Sequence, residues 1–100
     1  MVGAQLKVQD QVIALMGSIE FDNAASVYTQ GLKLLKQQNH SPVYLDLSGL
    51  QSSNTIALAV FVQWLRQCAT GQQFYLQHVP QKMQAIIQAS NLQDAFGLKA

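Results

Sequence analysis

Charge is the scarcest property of this chain. Only 11% of its 100 residues are Asp, Glu, Lys or Arg, against about 25% in ordinary soluble domains, and the formal net charge is +1. Six Lys and Arg residues exert little pull on phosphates, so nucleic acid is not the expected partner. Cysteine is nearly absent. The single Cys68 can form neither an internal disulfide nor a multi-cysteine metal site, and it reads as a small apolar group within a helix. No uncharged apolar run approaches the roughly 20 residues that span a bilayer, so direct membrane insertion is not expected. The segment from Met1 to Lys7 lacks the charged start, apolar stretch and cleavage site of a signal peptide, which points to the cytoplasm. Walker-type and dinucleotide-type glycine loops are missing, so any nucleotide hydrolysis would fall to a partner. His40 and His78 have no carboxylate or second histidine at metal-ligand spacing and read as surface residues. No histidine is placed beside Cys68 as a base. Neither a cofactor nor enzymatic activity is expected.

What is present is apolar. Hydrophobic residues make up 49% of the chain, ample for one core, and no change of composition divides residues 1–100 into more than one domain. Much of the polarity comes from glutamine spread along the chain. A weakly charged surface of this kind suits a domain that lives against another protein, although glutamine-rich composition can equally reflect the habits of one genome.

The pattern along the chain alternates strands with helices. Leu6–Gln9 and Gln11–Leu15, broken at Asp10-Gln11, suit two short strands joined by a turn. Asp22 or Asn23 can cap a helix whose apolar positions are Ala24, Val27, Tyr28, Gly31, Leu32 and Leu35, ending near Asn39 before Pro42. Val43–Leu47 reads as a central strand covered on both faces. A polar loop then leads into a helix from Thr55 to about Thr70, stopped by Gly71. Phe74–Val79 is a further strand, Pro80 opens a helix through Ala89, and Leu92–Phe96 forms a short apolar tail. The expected fold is α/β, in the order β-β-α-β-α-β-α, with a mixed, mainly parallel sheet of four to five strands packed by helices.

The segment Leu45-Asp46-Leu47-Ser48-Gly49-Leu50-Gln51-Ser52-Ser53-Asn54-Thr55-Ile56-Ala57-Leu58-Ala59 resembles the signature of STAS domains, the fold of anti-sigma factor antagonists. In that family a strand ending in Asp-Leu-Ser is followed by a loop and then Asp-Ser/Thr-x-Gly-Leu, which opens a helix. Asn54 stands where the family has Asp, Thr55 where it has the hydroxyl residue that antagonists phosphorylate, and Ala57 where it has Gly; Leu58 is retained. The stretch from Gly71 to Pro80, the helix after it and Asn91-Leu92 are similar to the family's ending. Thr55 and Ala59 favour the MlaB-type branch, small cytoplasmic subunits of bacterial phospholipid ABC transporters. The resemblance implies an interaction subunit that binds the transporter's ATPase and sits at the inner membrane only through that complex. The alternative it implies is an anti-sigma factor antagonist regulated by phosphorylation of Thr55, with a kinase that is also its partner.

Read from the residues alone, Ser53, Asn54 and Thr55 are helix-capping types. A phosphate on Thr55 would be tolerated at a helix N-terminus yet would disrupt an apolar interface there. The stretch Ile56–Val62 is apolar almost all round, whereas a helix on one sheet face needs only one apolar stripe. Leu58, Phe61, Val62, Leu65 and Ala69 form the expected inward stripe. That leaves Thr55, Ala59, Gln63 and Arg66 on an outward line beside Ile56 and Val60, where another protein could dock. The other reading is burial by the chain's own C-terminal tail or in a homodimer. The candidate partner-binding residues are therefore Tyr28, Asn54, Thr55, Ile56, Ala59, Gln63 and Arg66. Tyr28 and Trp64 suit either an interface anchor or the core. Asp46 either orients the following loop or is a solvated carboxylate.

Overall fold

The hairpin at the start forms as two strands, β1 (Ala4–Gln9) and β2 (Val12–Gly17), paired antiparallel with Gln9 opposite Val12. Asp10 turns the chain at φ 56°, a left-handed conformation that Asp tolerates better than most residues. The structure is a computed structural model, and it describes residues 3–38, 42–68 and 73–96. After the hairpin come α1 (Ala24–Lys36), β3 (Val43–Leu50), α2 (Thr55–Arg66), β4 (Phe74–Gln77) and α3 (Gln81–Ala89). This is the element order expected from the sequence. The four strands lie in the order β1-β2-β3-β4, with β2, β3 and β4 mutually parallel.

Strand order decides where the helices go. Each step from β2 to β3 to β4 moves one place in the same direction, and right-handed crossovers then leave α1 and α2 on one face of the sheet. Burial follows. Ile13, Leu15, Val43, Leu45, Leu47, Phe74 and Leu76 are buried beneath the helices, while Val12, Ala14, Tyr44, Asp46, Tyr75 and Gln77 alternate with them on a half-exposed opposite face. The expectation that β3 is covered on both faces is thus corrected. Its alternation of Tyr44 and Asp46 with Val43, Leu45 and Leu47 is the period-two signature of a one-sided sheet, and Tyr44 and Tyr75 pack ring to ring on the open side with centroids 5.9 Å apart. Asp46 does orient local backbone: its Oδ1 accepts from the Ser48 N–H at 3.0 Å.

Between α1 and α2 the contact is set by Gly31 and Trp64. A Cβ on Gly31 would lie 2.2 Å from the Trp64 ring, so only glycine admits the indole at this depth. The Trp64 Nε1–H donates to the Tyr28 carbonyl at 2.9 Å, which satisfies the one polar atom of an otherwise buried side chain. Met83 and Ile87 of α3 enter the same core.

Helix ends differ from expectation in detail. Asn23 occupies the cap position of α1, but neither it nor Asp22 caps the helix through a side chain. The Asn23 Oδ1 instead accepts from Glu20 N–H at 2.7 Å, and its Nδ2 donates to the Ser18 carbonyl at 2.9 Å. The α2 helix ends at Arg66, short of Thr70, so Cys68 lies just beyond the helix rather than inside it. Asn39, His40, Ala69, Thr70 and Gly71 fall outside the described residues. Pro80, expected as the first residue of α3, holds the cap position before Gln81, its carbonyl accepting from Gln84 N–H at 2.9 Å. The tail folds back: Leu76 N–H donates to the Phe96 carbonyl at 3.3 Å, and the Phe96 side chain is fully buried.

Candidate functional site

The β2–α1 and β3–α2 loops both leave the C-terminal ends of parallel strands, so the two helices start side by side. Two side chains tie the loops together. Ser52, itself buried, accepts from the Ile19 N–H at 2.8 Å and donates to the Ile19 carbonyl at 3.3 Å. Asn54 donates from Nδ2 to the same carbonyl at 3.1 Å, while its Oδ1 caps α2 by accepting from Ala57 N–H at 2.7 Å. Asn54 adopts the extended backbone usual for a cap residue, and Thr55 becomes the first helical residue.

With the helix starts fixed, a shallow groove of about 390 Å³ opens between α1 and α2. Ala24, Ala25 and Tyr28 line one side; Thr55, Ile56, Ala59, Val60 and Gln63 line the other. Small and apolar side chains dominate, and none of the lining residues is charged. Thr55 and Ala59 are exposed, Tyr28 and Ile56 half-buried. Five of the seven candidate residues, Tyr28, Thr55, Ile56, Ala59 and Gln63, therefore meet in one place. The other two do not line the groove: Asn54 turns toward Ile19, and Arg66 is exposed at the end of α2.

The apolar character of α2 has mostly an internal cause. Val60, placed on the outward side from its periodicity, is buried at 6% exposure, and Trp64 is core rather than an interface anchor. Val62 and Leu65, expected to be fully inward, are only partly buried against the core. The helix shares the buried core with the strands and also contacts α1 and α3, so it needs more than one stripe. What stays uncovered among the described residues is the line Thr55, Ala59, Gln63 and Arg66. The described part of the C-terminal tail lies against β4 and leaves that line open.

Two features escape sequence reasoning. Ser52 reads as one more polar loop residue, because its link to Ile19 spans 33 positions. Phe21 stands 88% exposed in the β2–α1 loop, shortly before the groove residues Ala24 and Ala25 in the chain. A lone aromatic between Glu20 and Asp22 carries no periodicity that would place it, although its two acidic neighbours could have signalled exposure.

Cys68 is half-buried, and its Sγ lies 3.5 Å from the Trp64 carbonyl. Burial pushes its thiol above the ordinary value, because the thiolate loses hydration there. The folded state therefore favours the protonated thiol. That contribution to stability is fully present below the unfolded thiol's pKa and is lost as pH rises through the folded value. Iodoacetamide at pH 8 is expected to alkylate Cys68 more slowly in the folded protein than in urea, with the contrast read by intact mass. Equal rates would show a fully solvated thiol.

The sheet-and-helix architecture is shared with a crystal structure of an anti-sigma factor antagonist from Mycobacterium paratuberculosis. The TM-score is 0.78 at 16% identity, covering 98% of this chain and 85% of that one. The likeness shows a shared α/β fold. A family model described as Mlab, STAS domain matches residues 2–98, and the chain belongs to that family. It is also similar to a chain of the Acinetobacter MlaFEDB complex in two ATP-bound conformations. In Vtrans2 the TM-score is 0.86 at 40% identity, over 95% of this chain and 99% of that one. In Vtrans1 the values are 0.83 and 41%, over 93% and 98%. No curated protein matches the chain. Among the described residues no helix is long and apolar enough to cross a membrane, and no group of three or more His, Cys, Asp or Glu residues could hold a metal ion.

Proposed function

We propose that this chain is a non-enzymatic subunit that docks on the cytoplasmic ATPase of a phospholipid-transporting ABC complex through the groove between α1 and α2. The observation that carries the reading is the 40% identity, over 95% of the chain, with a chain of the ATP-bound Acinetobacter MlaFEDB complex. The groove supports it. Its small, uncharged lining admits a neighbouring surface closely and leaves no buried charge to compensate. The anti-sigma factor antagonist shares the fold alone at 16% identity, so constitutive docking is favoured over a switch at Thr55. Association with the membrane then comes through the complex.

Ala59→Arg places a long cation in the groove at an exposed position, where the fold itself is undisturbed. It is expected to weaken binding to the ATPase encoded in the same genome at least about tenfold, read by co-purification and titration. Thr55→Glu acts in the same direction. If both variants associate at full strength, this face is not the interface.

A further inference from the structure

Phe21 is the most exposed large apolar side chain among the described residues, at 88%, and its position is held rather than loose. On one side the Ile19 backbone is fixed by Ser52 and Asn54. On the other, Asn23 closes a tight turn around it: the Asn23 backbone N–H donates to the Glu20 carbonyl at 3.2 Å, and the Asn23 side chain binds Glu20 N–H and the Ser18 carbonyl. The aromatic ring is thus presented on a preorganised loop, so a partner that receives it loses little conformational freedom in doing so. Its neighbours Glu20 and Asp22 are both exposed, and they are two of only five acidic residues in the chain.

We infer that Phe21 is the aromatic anchor of the docking face, inserting into an apolar socket on the partner protein whose rim carries Lys or Arg opposite Glu20 and Asp22. The inference rests on the proposed docking of the α1–α2 groove and extends that surface into the loop that precedes α1. Charge decides the kind of occupant. An anionic membrane surface would repel the two carboxylates beside the ring. A second copy of this chain would offer the groove itself as the socket, and its uncharged lining puts no cation among the residues that would receive the ring. A socket with a basic rim satisfies both the ring and its flanking charges, and the carboxylates also steer the encounter.

The test uses the full chain and the transporter ATPase from the same genome. Phe21→Ala is expected to weaken binding at least about tenfold with an unchanged melting temperature, and Phe21→Leu to recover part of the loss. Glu20→Lys combined with Asp22→Lys is expected to slow association, with the deficit shrinking as salt is raised. If the wild-type chain binds the ATPase, Ala59→Arg does not, and Phe21→Ala binds fully, the anchor is overturned while the docking reading stands. If the wild-type chain does not bind at all, the reading and the anchor fall together. Flotation of the wild-type chain, but not of Phe21→Ala, with phosphatidylglycerol-containing vesicles would overturn the anchor in favour of a lipid contact. A wild-type dimer that Phe21→Ala converts to a monomer would overturn it in favour of self-association.

Discussion

Trp64→Ala is expected to lower the free energy of unfolding by about 3–5 kcal/mol, read by urea denaturation, the range found when a large aromatic is removed from a packed core. Domains of this size are stable by roughly 5–15 kcal/mol, so the change takes a large fraction of the total. The indole is 1% exposed, fills the notch left by Gly31 and packs beside Phe61, with ring centroids 5.9 Å apart. Trp64→Phe separates packing from hydrogen bonding. It keeps an aromatic ring but removes the donor to the Tyr28 carbonyl, whose net worth is about 1 kcal/mol. A loss for Trp64→Ala as small as that for Trp64→Phe would mean that the helices do not depend on the ring to stay together. Because Tyr28 also lines the groove, the alanine variant should lose partner binding even at temperatures where it remains folded.

The second large effect concerns the junction of the two loops. Ser52→Ala leaves the Ile19 N–H without its partner beneath a fully buried side chain, at a cost of about 1–3 kcal/mol. Asn54→Ala removes the α2 cap, worth about 1 kcal/mol, together with a bond to the Ile19 carbonyl. The two side chains share Ile19, so the double variant should depart from the sum of the singles, as contacting residues do. Thermal or urea unfolding gives the energies, and hydrogen exchange of the Ile19 amide reports the local opening. Unchanged exchange in Ser52→Ala would show that the loop is held by something else.

The element order was legible because a strand–helix alternation has few topological solutions. The resemblance around Asn54 to Ala59 narrowed them to one family. Layering was harder to read. The run from Val43 to Leu47 looks mostly apolar when Tyr44 is counted among the hydrophobics, yet Tyr44 and Asp46 share one face with Tyr75 and Gln77, and that face lies uncovered by helices. The period-two alternation of Tyr44 and Asp46 with Val43, Leu45 and Leu47 carried this layering, and strand order explains it. On α2 the periodicity found the exposed line but misplaced Val60 and left Trp64 undecided, because a single stripe was assumed where contacts with two other helices demand a broader one. Asn23 and Asn54 illustrate a different limit. Both are capping types at helix starts, and only Asn54 caps, since Asn23 finds nearer partners in its own turn. The groove residues were found one helix at a time. That they meet depends on the close approach at Gly31, which the sequence shows only as a small residue in an apolar stripe.

The α2 helix divides most of its residues between two duties, with buried Val60 also lining the groove. Ala57, Leu58, Val60, Phe61 and Trp64 hold the fold, while Thr55, Ala59 and Gln63 face outward and carry almost none of the core. Heritable variation at the second set is therefore uncoupled from the first. On the docking role proposed above, a lineage would retune which neighbour it recognises by exchanging three side chains, while the scaffold beneath them passes unchanged from ancestor to descendant.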